Sequence, residues 1–306
     1  MATQTASGLL QEVGTYYDKK FLQRAEYEYI FEQGAQMRNL PANSGKTVQF
    51  TRYTSLATAT TPLTEGVNPS EVSLTAVNVT ATPAEYGNTV KISRFLTLVG
   101  IDADNAEKIE VIGQNMGETL DELVRNELFT GASTVFAGGK GALSSIAASD
   151  TMSVKEIQKV VKTLKKNKAR RYSNNVAPWL GKLTNDTAYD LQRDSDFINA
   201  DVYDNGATKM YRGELGKIAG TRLLESANGK TESSSVTVHS NFFHGSDAFG
   251  TINLSEDKPK LYIIPHTKID SGNPAGRFSI VSWAGTTVTK TLNQSWLINL
   301  KTAATS

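Results

Sequence analysis

Residues 104–131 read DNAEKIEVIGQNMGETLDELVRNELFTG, and the rest of the chain is best understood outward from them. Ile109, Ile112, Met116, Leu120, Leu123, Val124 and Leu128 recur at spacings of three and four, the period of one helix face. Asp104 can cap the start, with Glu107 three residues on to complete a capping box. No proline interrupts the run, and Gly131 suits the left-handed residue that closes many helices. About 26 residues at 1.5 Å each span roughly 39 Å, far beyond an average globular helix. Gly113 and Gly117 lie one turn apart inside it, each costing about 1 kcal/mol relative to alanine. Such a cost predicts that another backbone passes close to that face. Short β-type segments flank this amphipathic spine on both sides, so the fold class is α+β with one dominant helix.

Composition narrows the function classes. The 306 residues suffice for one large or two modest domains. A net charge of +1 gives no global electrostatic case for nucleic acid or an anionic membrane. The absence of cysteine excludes disulfides, thiolate metal sites and a cysteine nucleophile. The opening MATQTASGLLQEVG lacks the basic and apolar regions of a secretory signal. No run approaches the ~18 apolar residues of a membrane span, so no membrane partner is expected.

Taken in order, the chain opens with helical texture. Leu10, Val13, Tyr17 and Phe21 share a face, and Tyr27, Ile30 and Phe31 continue the style to Gly34. The stretch MRNLPANSGK (Met37 to Lys46) then breaks it. Residues 1–34 have no local partner for their apolar stripe, and they read as an arm that packs on something else. Val48 and Phe50 alternate with Thr47, Gln49 and Thr51 as a half-exposed strand. Thr54 to Ser70 carries Pro62, Gly66 and Pro69 with little to bury. Val72, Leu74 and Ala76 alternate, and then the phase slips to Val77, Val79 and Ala81, the mark of a bulge or strong twist. Tyr86, Val90 and Ile92 face one way in the next strand. Long strands joined by a polar tip make a ribbon, and an isolated ribbon is only marginally stable in water. It needs a partner surface.

Past the spine, FAGGKGALSS (Phe136 to Ser145) connects to a second helix. Ser153 and Glu156 offer it a capping box, and Val154, Ile157, Val160, Val161 and Leu164 give the buried stripe. A strand-like piece (Val176 to Leu183) and a short helix (Thr187 to Arg193) follow. The remainder is β-rich: Lys217 to Glu225, Thr237 to Phe243, Ala248 to Leu254, Lys260 to Pro265, Arg277 to Thr289 and Ser295 to Lys301.

Chemistry-bearing motifs are scarce. The GGKG at Gly138 to Gly141 has Thr134 where a phosphate loop needs its first glycine and Gly141 where it needs Ser or Thr. His239, His244 and His266 have no metal-ligand spacing. In the acidic stretch Asp194, Asp196, Asp201 and Asp204, Ile198 breaks the calcium-loop spacing. No serine sits in a nucleophile elbow. We therefore nominate no catalytic, cofactor or metal residues and expect no enzyme. The basic run Lys165, Lys166, Lys168, Arg170 and Arg171 admits three readings: a phosphate contact, cations complementing a helix C-terminus, or an inter-subunit salt contact.

Several stretches together resemble one family. Thr15-Tyr16-Tyr17-Asp18-Lys19-Lys20, then Gly45-Lys46-Thr47-Val48-Gln49-Phe50 and Arg52, are similar to the N-terminal part of the N-four-like family of tailed-phage major capsid proteins. Thr61-Pro62-Leu63-Thr64-Glu65-Gly66-Val67 resembles that family's extended-loop tip, and Glu85-Tyr86-Gly87 its returning strand. Gly117-Glu118-Thr119-Leu120-Asp121 resembles its long helix. Asp186-Thr187-Ala188-Tyr189-Asp190-Leu191 and Gly213-Glu214-Leu215-Gly216-Lys217-Ile218-Ala219-Gly220 are similar to later parts of it. Val202 to Lys209 and Asn228 to Ser235 follow no pattern of the family.

The resemblance implies a Hong Kong-type phage capsid fold: an N-terminal arm (1–45), an extended β-ribbon loop (46–92), a peripheral domain with the spine helix (93–150 and 257–306) and an axial domain (151–256). It implies a major capsid protein that self-assembles as hexamers and pentamers into the icosahedral shell around double-stranded DNA, bound without sequence preference. A portal protein, and separate scaffolding and decoration proteins, are the further partners it brings, with assembly in the bacterial host cytoplasm and residence in the virion. The implied subunit contacts are Leu63, Glu65, Gly66, Val67 and Glu71 at the loop tip and Leu10, Val13, Tyr17 and Phe21 in the arm. An encapsulin-like cellular shell is the alternative within the fold, and an unrelated α+β hydrolase or carbohydrate-binding domain the alternative outside it.

Overall fold

The computed structural model describes residues 21–24, 29–40, 47–99, 105–172, 177–197, 215–254, 259–269 and 272–305. In chain order the elements are β1 (Gln36–Leu40), β2 (Val48–Tyr53), β3 (Ala76–Ala81), β4 (Ala84–Ser93), α1 (Arg94–Val99), α2 (Asn105–Gly131) and β5 (Ser133–Phe136). Next come α3 (Val154–Lys166), β6 (Trp179–Thr184), α4 (Asn185–Gln192), β7 (Lys217–Ile218), β8 (Thr221–Ser226), β9 (Lys230–Ser233) and β10 (Thr237–His244). The chain closes with β11 (Phe249–Leu254), β12 (Lys260–Ile264), β13 (Phe278–Thr291) and β14 (Leu297–Ala303).

The spine forms as its periodicity requires. Ile109, Ile112, Met116, Leu120, Val124 and Leu128 are buried along one face of α2, each such side chain worth about 1.5–3 kcal/mol of burial. Its first half packs with Phe21, Ile92, Val281 and Trp283; its second half packs with Phe31, Phe242, Phe249 and Leu297. One helix thus seats on two sheets. A methyl placed on Gly113 would stand 2.7 Å from the Phe21 carbonyl oxygen, which explains the glycine by close backbone approach. Gly131 departs from expectation. It is the last helical residue and has no left-handed backbone; the Thr291 side chain occupies the space a methyl would need. The proposed cap Asp104 lies outside the described residues.

The five-stranded sheet runs β1-β11-β13-β12, with β4 also on β13. The seven-stranded sheet runs β5-β14-β10-β6-β8-β7, with β9 on β10. These pairings cut across the division read from sequence. β1 of the arm region lies parallel to β11, and β14 and β5 join the strands of residues 179–244. Only register between distant strands decides such grouping. β4 is the clearest correction: assigned to the ribbon, it runs antiparallel to β13 from Ala84↔Thr287 to Ser93↔Phe278. Ile92 points into the core there, so the ribbon ends at Ala81.

Two local expectations also change. The Ser153–Glu156 capping box does not form. Glu156 is buried with its carboxylate 2.6 Å from Lys159 Nζ, and Asp194 Oδ2 accepts the Val154 N–H instead. The strand read over Lys217 to Glu225 is a hairpin, β7 and β8, turning at Ala219 and Gly220, both with positive φ. The apolar stripe of α3 packs as predicted against Trp179, Leu183, Leu223 and Ile298.

Candidate functional site

The ribbon is the longest unbroken stretch of the described chain that its own core leaves uncovered. β2 and β3 pair from Val48↔Ala81 to Tyr53↔Ala76. Phe50 and Ala81 anchor this root against Ile252 and Leu292, with Val48, Val79 and Val288 beside them. The later of the two apolar phases in the sequence is therefore the one that faces the core, and Val72 and Leu74 precede the strand. Arg38 lies over the Phe50 ring at 4.7 Å, tying β1 to the root. Beyond Tyr53 the two sides hold through Thr54, whose N–H and hydroxyl both donate to the Thr75 carbonyl, at 2.9 and 3.1 Å. At the tip Val67 N–H donates to Thr64 O, and Gly66 takes φ +77° with open space around it, so the turn itself demands glycine.

Every residue from 53 to 78 is exposed. That set includes Tyr53, Leu56, Leu63, Val67, Val72, Leu74 and Val77, with Leu63 72% and Val72 69% exposed. Three of the seven, Leu56, Leu63 and Val67, fall within Thr54 to Ser70, the segment read as having little to bury. Glu65 and Glu71 stand exposed among them. Contiguous apolar exposure on this scale marks an interaction surface.

The second feature is the root of the arm. Leu10, Val13 and Tyr17 lie outside the described residues, but Phe21 and Phe31 are each 1% exposed within their own chain. Phe21 has no surface left for a neighbouring subunit, which corrects its assignment as an arm contact: the glycine face of α2 has already covered it. From Ile30 to Gly34 the backbone is clasped between α2 and the seven-stranded sheet. Asp121 Oδ1 accepts the N–H groups of Ile30 and Phe31 at 2.9 and 2.6 Å. On the opposite side Lys182 Nζ donates to Phe31 O at 2.6 Å and lies 4.6 Å from the Phe249 ring centre. Tyr172 OH donates to Gly34 O at 2.8 Å. Gly34 has φ +84°, and a methyl there would stand 2.5 Å from the Tyr172 oxygen and 2.7 Å from His244 Cε1. The chain can pass only as glycine.

This clasp is electrostatically tuned. Asp121 and Lys182 are both fully buried. Burial raises the Asp121 carboxyl to about 6, against the opposing pull of its two N–H donors and Lys182. Burial lowers the Lys182 amine to about 7, with Asp121 and Glu32 pulling it back up. Burial and Asp121 raise Glu32. His244 is held well below the usual imidazole range by burial and the nearby ammonium. Its Nδ1 lies 3.1 Å from both Tyr172 OH and Gly245 O, partners that place the proton of the neutral ring on Nδ1. Two signals in the sequence mark the clasp. Asp121 sits on the apolar stripe, three residues before Val124, and Lys182 interrupts the apolar β6.

The other nominated residues disperse. Lys165, Lys166, Lys168 and Arg171 are exposed at the end of α3, while Arg170 pairs with Asp247 at 2.7 Å. Lys168 has φ +50° and closes a Schellman motif, its N–H on Lys165 O and that of Ala169 on Leu164 O. The GGKG turn folds onto Asp150, whose carboxylate sits against Gly138 and accepts Ala147 N–H; an acid stands where an anion would bind. His239 Nδ1 is 3.1 Å from Thr184 Oγ1 and 3.7 Å from Asp186 Oδ2. Hydroxyl and carboxylate share one ring nitrogen, whereas a catalytic relay needs both nitrogens. Asp194 is committed to α3 and to the Asp196 N–H, and Asp201 and Asp204 lie outside the described residues. Among the described residues no three His, Asp or Glu side chains converge as a metal site, and no helix is long and apolar enough to cross a membrane.

No protein-family model and no curated protein matches the chain. Solved structures do. The capsid of Ralstonia phage GP4 superposes with a TM-score of 0.69 at 14% identity, covering 92% of this chain and 91% of that one. The capsid of cyanophage P-SCSP1u gives 0.66 at 14% identity, covering 90% and 89%. A virus-like particle from Pyrococcus furiosus gives 0.56 at 8% identity, covering 94% and 99%. The chain has the Hong Kong-type fold of tailed-phage capsid proteins.

Proposed function

We propose that this chain is the major capsid protein of a tailed double-stranded DNA phage, a structural subunit that assembles with copies of itself into an icosahedral shell. The observation that carries the reading is the uncovered ribbon on a fold that other phages build into shells. Its seven apolar side chains need cover, and at about 25 cal/mol per Å² a repeated contact offsets the cost of ordering both partners. A second copy of the chain supplies the cover in every direction of a lattice. In this reading the five-stranded sheet and α2 form the peripheral domain, and the seven-stranded sheet with α3 forms the axial domain at the centre of six- and five-membered rings. Membership of the N-four-like family, contacts with portal, scaffolding and decoration proteins, enclosure of DNA and assembly in the host cytoplasm belong to the same proposal. The virus-like particle from Pyrococcus furiosus is the less similar match, so the cellular-shell alternative gains nothing from it.

Sedimentation velocity on the purified full chain tests the reading. A megadalton boundary, replaced by a folded subunit-sized species when 54–75 is exchanged for a short turn, is the expected result. A chain that stays monomeric at every concentration, or a shortened chain that assembles normally, overturns it.

A further inference from the structure

The solvent face of α3 is a single-sign row. Lys155, Lys159, Lys162 and Lys166 follow one another at i, i+4, i+7 and i+11, within about 60° of one line on the helix surface, and all four are exposed. They span roughly 16 Å of axis. Lys165 flanks the row, Lys168 and Arg171 stand exposed just beyond the helix end, and Gln158 and Thr163 are the other residues turned away from the core. Among the described residues, Glu156 alone pairs with a lysine of the row, and it takes only Lys159.

Helix-end electrostatics does not account for this arrangement. Cations complement the last turn of a helix, where Lys165 and Lys166 sit, but Lys155 stands in the first turn, where they are disfavoured. Nor does the face suit a protein partner. Interface cores are depleted of lysine and built on aromatic and aliphatic anchors, and this face has neither. Parallel cations without apolar neighbours suit a polyanion with regularly spaced charge. Duplex DNA carries a phosphate about every 3.4 Å along each strand, so a 16 Å row faces roughly five phosphates.

We propose that the lysine row of α3 is a contact surface for the phosphate backbone of duplex DNA, read without regard to sequence. The proposal rests on the capsid reading and deepens it by assigning the face of the subunit that meets the packaged genome. The row offers no base-stacking aromatic and no bidentate arginine, so discrimination among sequences is not expected from it.

The test compares the full-length protein with the variant Lys155→Gln/Lys162→Gln/Lys166→Gln. Lys159 stays in place as the partner of buried Glu156. Fluorescence anisotropy with a 30-base-pair duplex of scrambled sequence, at subunit concentrations below assembly, gives log K against log salt. Sedimentation follows particle formation in parallel. Each phosphate contact contributes a slope of about −0.9, so the wild type should be steeper than the variant by about 2.7, and the variant should bind tens of fold more weakly at low salt. It should still form particles. A variant with unchanged slope and affinity, or a wild type without measurable binding, overturns the proposal and leaves the capsid reading standing. A variant with native circular dichroism that no longer forms particles shows a contact between copies and also overturns it. Failure of the wild type to form particles is the separate failure of the capsid reading.

Discussion

Replacing Asp121 with alanine should release the arm root from the spine. In the wild type its buried Oδ1 satisfies both Ile30 N–H and Phe31 N–H, and its charge supports the fully buried Lys182. Alanine orphans two donors, each worth about 1–3 kcal/mol when left unpaired, and strips a buried cation of one countercharge. The two orphaned donors alone correspond to about 2–6 kcal/mol, and a loss in that range is expected for Asp121→Ala at pH 7. Asp121→Asn keeps the accepting oxygen and should cost much less. The comparison with asparagine also isolates the proton. Folding raises the Asp121 pKa from 3.8 to about 6, so this group's favourable contribution is fully present below pH 4 and is lost as pH rises through 6. That rise corresponds to roughly 3 kcal/mol, so stability should move in favour of Asp121→Asn by up to that amount between pH 4 and pH 7. Urea unfolding of the subunit at both pH values measures the shift, and hydrogen exchange at Phe31 reports the local release. An alanine variant within about 1 kcal/mol of wild type, with Phe31 still protected, would refute the clasp.

Glu65→Lys/Glu71→Lys reverses two exposed charges on the ribbon tip and should leave circular dichroism and subunit melting unchanged while blocking or weakening assembly by sedimentation; normal assembly would remove those acids from the interface. Gly113→Val drives a side chain into the Phe21 carbonyl 2.7 Å away and should destabilise by about 1–3 kcal/mol in urea. Lys168→Gly relieves a left-handed lysine in the Schellman turn and should raise the unfolding midpoint, by about 1 kcal/mol in stability; a loss of stability would contradict the strain.

What local pattern controls was legible. The α2 and α3 stripes, the two-stranded ribbon and most strands follow from periodicity, because each rests on contacts repeated every two or three to four residues. Strand partnership was not legible. The resemblance makes β4 the returning strand of the extended loop, yet its hydrogen bonds go to β13, nearly two hundred residues away. The Ser153–Glu156 box does not form: the Glu156 carboxylate turns to Lys159, and Asp194, forty residues on, accepts the first helical N–H. The clasp around Phe31 joins residues 31, 121 and 182, and only the odd polar residue on each apolar run betrayed it. The ribbon tip reads as having little to bury, yet Leu56, Leu63 and Val67 stand exposed there, outside any strand whose alternation would single them out.

Cryo-electron microscopy of particles formed by the full-length chain tests the central claim most directly, through the surroundings of residues 53–78. Closed icosahedral shells are expected, with Leu63, Val67, Val72 and Leu74 covered by a neighbouring subunit. Shells in which those side chains remain bare, or a concentrated sample without closed particles, would contradict it.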